Sequence, residues 1–228
     1  MLSRLLKSIE SQKYYPEEVI IVDAGSNAPY VIEMFGRLNI KYVKAEHPSL
    51  TKQRNIGIDN VSKNIELIGF LDDDVVLLDG AIENMLKFWQ NASEDIGGVA
   101  FNIVHSKKMR RFWWVKMFFL RGGKSPGKVL KSGYQVLVDS VNRSISSQWL
   151  PGGVTIWRRE IFKEFKFDEK FKGYGYCEDL DFSYRVGKKY KLVVLNDARV
   201  YHPIHLVKPD RALSLIHISE PTRPLYIS

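Results

Sequence analysis

The sequence predicts an α/β protein built on a mostly parallel, Rossmann-like sheet flanked by helices. Three observations carry that prediction. Val19-Ile20-Ile21-Val22 and Leu67-Ile68-Gly69-Phe70-Leu71 are continuous apolar runs of the kind that fill strands buried on both faces. Between and beyond them, segments with helical spacing alternate with further strand-like runs, the order that gives a parallel sheet with helices on both sides. Both runs stop abruptly in acid, Asp23 after the first and Asp72-Asp73-Asp74 after the second. Sheets of this class bind ligands beyond the carboxyl ends of their strands, so these acids mark the expected site.

Taken in order, Leu2, Leu5, Leu6 and Ile9 fall at i, i+3, i+4 and i+7, so the chain opens inside an amphipathic helix with no strand before it. A first strand is expected to be missing. After the run at 19–22 come a helix over 29–38, a strand over 40–43, a helix over 51–59 and the strand at 67–71. Ala81, Ile82, Met85, Leu86 and Trp89 give a strong helical stripe, and strand returns over 98–103. Beyond His105 the pattern is irregular, then strands are expected over 129–138 and 149–157. Helices follow over 159–165 and 178–188, with closing strands over 192–195 and 198–201. No internal repeat or linker divides the chain, so residues 1–212 read as one domain. The stretch Leu213 to Arg223 matches, over eleven consecutive residues, the translation of a transposon-type sequencing adapter. Residues 213–228 are therefore set aside as a non-native tail.

Composition narrows the class. The 228 residues are 45% apolar and 26% charged, enough for one substantial core, and the formal net charge of +8 favours an anionic partner. A phosphate-rich small substrate, an acidic membrane surface and nucleic acid all meet that condition. No nucleic-acid-binding motif is present, so nucleic acid is not expected. The single cysteine, Cys177, excludes a disulfide framework and any cysteine-built zinc site, which fits a reducing compartment, most simply the cytoplasm. No apolar run reaches the roughly 18 residues of a membrane span, and the first residues carry no signal-peptide pattern.

Three aspartates crowded after a strand repel one another unless a cation or solvent compensates; a solvated acidic loop is one reading, and a divalent metal is the natural compensator in the other. Mg²⁺ takes one or two carboxylates and completes its octahedron with water and phosphate oxygens, which suits this cluster. Glu178-Asp179-Leu180-Asp181 follows the glycine- and tyrosine-rich loop 173–176 and opens a helix. Acids there also interact favourably with the helix dipole, and Asp181 with Arg185 has the spacing of a surface ion pair. Gly152-Gly153 after Pro151 permits close approach of backbone to a ligand. Lys52 and Arg54 lie on one helix, and His202 follows a closing strand. No nucleophile elbow, P-loop or His-Glu-x-x-His helix is present.

In combination these pieces resemble the inverting family 2 glycosyltransferases. The resemblance runs from Leu5-Leu6-Lys7-Ser8-Ile9 through Val22-Asp23-Ala24-Gly25-Ser26, Lys52-Gln53-Arg54-Asn55-Ile56-Gly57 and Phe70-Leu71-Asp72-Asp73-Asp74. It continues through Trp149-Leu150-Pro151-Gly152-Gly153, Phe167-Asp168-Glu169 and Gly175-Tyr176-Cys177-Glu178-Asp179-Leu180-Asp181 to His202. It implies a GT-A fold and metal-dependent, inverting transfer of a sugar from a nucleotide sugar to a hydroxyl of a glycan or lipid-linked acceptor, with Mg²⁺ or Mn²⁺ as cofactor. It also implies roles. Asp23 would pair with the base, and Arg54 would lie near the base or diphosphate. Asp72 and Asp74 form the Asp-x-Asp motif, with Asp72 towards the ribose and Asp74 on the metal. Asp179, preferred over Glu178, would be the general base, His202 would sit near the metal, and Gly152 with Gly153 would line the acceptor side. Ala24 departs from the family's frequent second aspartate.

Two other readings share these residues: a nucleotidyltransferase, and a catalytically inactive module that binds glycan or membrane. The segment 107–121, in which Lys107, Lys108, Arg110, Arg111, Lys116 and Arg121 surround or flank aromatic residues, is expected either to touch an anionic membrane or lipid-linked acceptor or to pack on the core as a helix. In the first case the protein would be peripheral on the inner face of the cell membrane.

Overall fold

The computed structural model describes residues 1–25, 28–104, 126–138, 140–173 and 175–203, and the backbone of 214–219. The basic aromatic segment 107–121 lies outside the described residues. The chain begins with helix α1 (Leu2–Glu10), strand β1 (Glu18–Asp23), α2 (Ala28–Ile32), β2 (Ile40–Lys44) and α3 (Leu50–Asp59). It continues with β3 (Leu67–Asp72), β4 (Val76–Leu77), α4 (Ala81–Gln90), β5 (Ile96–Val104), β6 (Ile145–Ser147) and β7 (Val154–Arg158). Then come α5 (Ile161–Glu164), α6 (Glu178–Gly187), β8 (Lys191–Tyr201) and β9 (Ser214–Ser219).

The continuous apolar run at 19–22 is buried on both faces, and all four side chains have no exposed surface. Val19 and Ile21 join a core with α1 and α4, through Leu5, Leu6, Ile9, Met85 and Leu86. Ile20 and Val22 face the opposite core, which holds Phe70, Trp157, Phe162, Phe167 and Phe182. This is the strand period of two serving two helical layers at once. Among the described residues no helix is long and apolar enough to cross a membrane.

The strands form one sheet in the order β2-β1-β9-β3-β7-β5-β8-β4, with β6 added on β8. β1 pairs parallel with β2, and β5 with β8. β9 is antiparallel to both β1 and β3, and β7 is antiparallel to both β3 and β5. It follows that β1, β2, β3, β5 and β8 all run one way, and their carboxyl ends share one edge.

Several boundaries differ from the sequence expectation, each for a local reason. The helix expected over 29–38 tightens after Ile32 into i→i+3 turns, with Met34 N–H to Val31 O at 3.2 Å and Phe35 N–H to Ile32 O at 3.0 Å. The strand expected over 129–138 is reduced to a single Val129–Gln135 bridge around a turn where Gly133 has φ 81°. Pro151 and the two glycines delay the strand expected from 149 until Val154, because proline has no N–H to give a ladder. The two closing strands are one, β8. The polar Asn196-Asp197 break is absorbed as a register shift against β5, and Asn102 Nδ2 donates to Asn196 O at 2.8 Å.

The segment set aside as a tail takes the position between β1 and β3. Glu18 to Asp23 pair with Ser219 to Ser214, and Ile68 to Asp72 pair with Ser219 to Leu215. Removing residues 213–228 would strip both neighbouring strands of these partners at the centre of the sheet. A buried backbone hydrogen bond is worth about 1 kcal/mol net, so the shortened chain should lose on the order of 5 kcal/mol. Thermal unfolding of the two chains by circular dichroism measures this, and an unchanged midpoint would show that β9 adds nothing to the sheet.

Candidate active site

The shared edge of the sheet gathers carboxylates from distant parts of the chain. Asp72 ends β3, and Asp74 lies in the turn that follows it. His202 follows β8, and its Nε2 lies 3.0 Å from Asp74 Oδ1. Asp72, Asp74 and His202 each offer one ligand atom within 4.8 Å of the others. Two carboxylates and an imidazole at this separation fit a single divalent cation with positions left over for phosphate oxygens. Asp72 is held by backbone: its N–H donates to Gly153 O at 2.9 Å.

Across the cleft, α6 begins with Glu178 and Asp179. Cys177 precedes them at φ 68°, a left-handed conformation uncommon for a residue with a Cβ, and this turn swings the first turn of α6 towards the cleft. Asp179 is half-buried. Its Oδ2 accepts the Gly152 N–H at 3.2 Å, and its Oδ1 accepts the Leu180 N–H at 2.8 Å. Glu178 turns inward, is 5% exposed, and forms an ion pair with Arg54 Nη1. Asp181 pairs with Arg185, Oδ2 to Nη2 at 2.8 Å, as its i, i+4 spacing predicts.

Arg54 is the cation at the centre. It projects from α3, is 1% exposed, and lies over the rings of Phe167 at 5.1 Å and Phe70 at 5.8 Å. α3 is fixed against this loop by Asn55, whose Nδ2 donates to Phe167 O at 3.0 Å and to Glu169 Oε1 at 2.9 Å. The Pro151-Gly152-Gly153 turn closes over these groups. A Cβ at Gly152 would come within 2.5 Å of the Arg54 guanidinium, and one at Gly153 would overlap the Asp72 carboxyl. Glycine is required at both positions for clearance.

Together Arg54, Asp72, Gly152, Gly153, Glu178, Asp179 and His202 line one cavity of about 250 Å³. Asp74 joins it through His202. Asp23 does not line it; it sits one position beyond β9, at the end of β1, with Oδ1 accepting the Gly25 N–H at 2.8 Å. Asp23 pairs with Ser214 of β9 and Asp72 with the adjacent Leu215, so the two acids stand level at the sheet edge, two strand spacings or roughly 10 Å apart. Arg54, expected near base or diphosphate, borders the cavity with its side chain almost wholly buried. Sequence reasoning missed Ile103, Gln135, Tyr176 and Cys177 as lining residues. Tyr176, 89% exposed beside the acidic pair, was detectable as an aromatic in a glycine-rich loop; Gln135 had no signal.

The electrostatics follow from burial. Burial raises the Asp72 carboxyl above its ordinary value; Arg54 and His202 oppose the rise, and Asp74 and Asp179 add to it. Burial likewise pushes Glu178 up to about 7 from 4.5, against the pull of Arg54. With a folded-state value above the unfolded one, the native chain holds an extra proton between about 4.5 and 7. Stability from this group is present below that window and falls as pH rises through it. Glu178→Gln should flatten this slope, by roughly 3 kcal/mol at most across the window. Urea unfolding of both chains from pH 4 to 8 tests it; parallel stability curves would remove Glu178 as the source.

Comparison with known proteins bears on the family and the fold. The model of glycosyl transferase family 2 matches residues 1–168. The minor teichoic acid biosynthesis protein GgaA of Bacillus subtilis is 26% identical over 160 residues, which are 68% of this chain and 33% of that protein. The chain thus spans about a third of that relative's length. Among solved structures, S. aureus TarS 1–349 in complex with UDP-GlcNAc superposes with a TM-score of 0.64 at 16% identity, covering 91% of this chain and 56% of that one. GalNAc-T7 with UDP, GalNAc and Mn²⁺ superposes with a TM-score of 0.66 at 16% identity, covering 89% of this chain and 41% of that one. At these identities the structures establish a shared GT-A fold. The match to the family model over most of the chain establishes more: this chain belongs to glycosyl transferase family 2, a family of sugar-transferring enzymes.

Proposed function

We propose that this chain carries out metal-dependent, inverting transfer of a sugar from a nucleoside-diphosphate sugar to a hydroxyl of a glycan or lipid-linked acceptor. One observation carries the reading: a cluster of two carboxylates and an imidazole spaced to suit a metal ion, Asp72, Asp74 and His202, shares one cavity with the hydrogen-bonded carboxylate of Asp179. The relatives support its particulars. TarS structures hold UDP-GlcNAc or UDP, GalNAc-T7 holds Mn²⁺ with UDP, and GgaA is named for teichoic acid synthesis, so a uridine-diphosphate donor and a glycan or lipid-linked acceptor are the first choices.

In this reading Asp23 receives the base and Asp72 the ribose, the roughly 10 Å between them matching the reach of a nucleoside. Asp74 and His202 hold Mg²⁺ or Mn²⁺, which supplies Lewis-acid stabilisation of the charge growing on the departing diphosphate. Asp179 takes the proton from the acceptor hydroxyl as the oxygen attacks the anomeric carbon from the side opposite the leaving group. The Gly152 N–H keeps one Asp179 oxygen aimed along the cleft. A single base suffices for inversion. Gly152 and Gly153 line the acceptor side while giving clearance to Arg54 and Asp72. Residues 213–228 are inferred to be a foreign tail, supported by the adapter match; the encoding DNA decides this directly.

Calorimetry with UDP and Mn²⁺, and product analysis with a panel of nucleotide sugars, test the catalytic reading. Asp74→Ala should abolish the metal-dependent part of donor binding. Asp179→Asn should lower kcat by about 10²–10⁴-fold while leaving donor affinity intact, since it keeps shape and removes basicity. Equal metal-dependent affinity in Asp74→Ala, or full turnover in Asp179→Asn, would overturn the respective assignment. Release of pyrophosphate with nucleotidyl transfer would instead establish a nucleotidyltransferase.

We also propose that the basic aromatic segment 107–121 brings the enzyme to the anionic cytoplasmic face of a membrane, where each nearby basic residue contributes about 1 kcal/mol. Flotation with anionic and neutral vesicles should show a salt-sensitive preference for the former. Equal recovery with both would leave the segment a packing role only.

A further inference from the structure

The geometry points to Arg54 as a positioning residue for the general base: a buried cation that holds Glu178, and through the start of α6 and the Gly152 turn sets where Asp179 stands, without itself binding the nucleotide. This rests on the proposal that Asp179 is the base.

Four contacts converge on the guanidinium. Glu178 meets Nη1 in an ion pair, both side chains almost wholly buried. The rings of Phe70 and Phe167 support it on another side. The backbone of Gly152 lies against it, close enough that a methyl group would collide, and Asp72 senses its charge. Asp179 is adjacent to Glu178 in the first turn of α6 and takes its second constraint from the Gly152 N–H. The Gly152 bond and the neighbouring Glu178 ion pair therefore both refer back to Arg54, while Asp179 Oδ1 accepts the Leu180 N–H within α6. Nε of Arg54 and Oε2 of Glu178 have no hydrogen-bond partner among the described residues, so the pair is held by charge and packing and not by a saturated network. A buried ion pair of this kind costs desolvation and gives modest net stability; its effect is to select one arrangement of the elements that carry it.

A cation that bound the nucleotide would be expected at the cavity surface with its donors open to phosphate. Arg54 borders the cavity, but it is 1% exposed and its guanidinium is paired with a carboxylate. Its spread of planar charge suits a site that stacks on rings while pairing with acid, which a lysine ammonium matches less well.

The single cysteine gives a readout independent of catalysis. Cys177 lies next to Glu178, is free and half-buried, and its thiol is raised by burial and by the Asp179 and Glu178 carboxylates. Its alkylation rate reports on where those carboxylates stand. Arg54→Met, Arg54→Lys and Gly152→Ala are compared with the parent chain for iodoacetamide rate, UDP affinity by calorimetry, and kcat. Arg54→Met and Gly152→Ala should change the Cys177 rate by at least 5-fold and lower kcat by 10-fold or more, with UDP affinity within 3-fold of the parent. Arg54→Lys should recover part of both. Gly152→Ala keeps every charged group, so it decides the matter if Arg54→Met does not fold. An unchanged Cys177 rate in Gly152→Ala, or UDP affinity lost in Arg54→Met while kcat at saturation is kept, would overturn the positioning role. Absence of transfer by the parent chain would count against the proposed reaction alone, because the thiol measurement still judges Arg54.

Discussion

The cleft depends on one buried guanidinium lying under a turn that has no side chains. Asp72 and Glu178 are brought close together where burial disfavours their charged forms, and Arg54 supplies a permanent positive charge beside both. Its aromatic support comes from Phe70 and Phe167, which also belong to the core beneath. Packing and electrostatics are thus the same contacts here. The Pro151-Gly152-Gly153 turn can close only because neither glycine carries a Cβ, and that closure supplies the N–H that orients Asp179 and the carbonyl that accepts from Asp72.

The sheet explains why the acids meet at all. Strands β1, β3 and β8 run in the same direction, so Asp23, Asp72 and the segment leading to His202 emerge at a common edge although they are far apart in the chain. β3 has no exposed face, since Ile68 and Leu71 are buried at 1% and Phe70 at 0%, so the chain must turn outward at Asp72. The acidic cluster sits where the polypeptide leaves the core, the place at which an open sheet offers a crevice to a ligand. The position between β1 and β3, held by residues 214–219, bears on the spacing of Asp23 from Asp72 and hence on the length of ligand the edge can accept.

Family membership and site geometry constrain different things. The family match covers residues 1–168, which includes the Asp72 to Asp74 cluster and the glycine turn but ends before α6. The acidic pair at 178–179 and His202 are connected to that region by contacts and not by the matched stretch: Asp179 to Gly152, Glu178 to Arg54, His202 to Asp74. Each of these three joins a residue inside the match to one outside it. The two parts of the cleft are therefore tied together by direct bonding across the cavity.

The sequence by itself determined the class of fold and the edge at which the site lies. Continuous apolar runs at 19–22 and 67–71 can only be satisfied by burial on two faces, and acids placed straight after them must emerge together at the strand ends. The acidic cluster at 72–74 stood out by its place at a strand end, whereas Asp179 and His202 were singled out by the family resemblance and not by local pattern. The sequence was silent on pairing between distant residues. Arg54 reads as one of two cations on a helix surface, and only the folding of α6 against α3 turns it into a buried partner of Glu178. Glycines 152 and 153 read as a turn that lets backbone approach a ligand, whereas their necessity arises from the guanidinium and carboxyl pressed against them. Those facts belong to tertiary structure because burial, clearance and the sharing of one counter-charge are properties of what surrounds a residue, and the surroundings are assembled from parts of the chain that no local pattern connects.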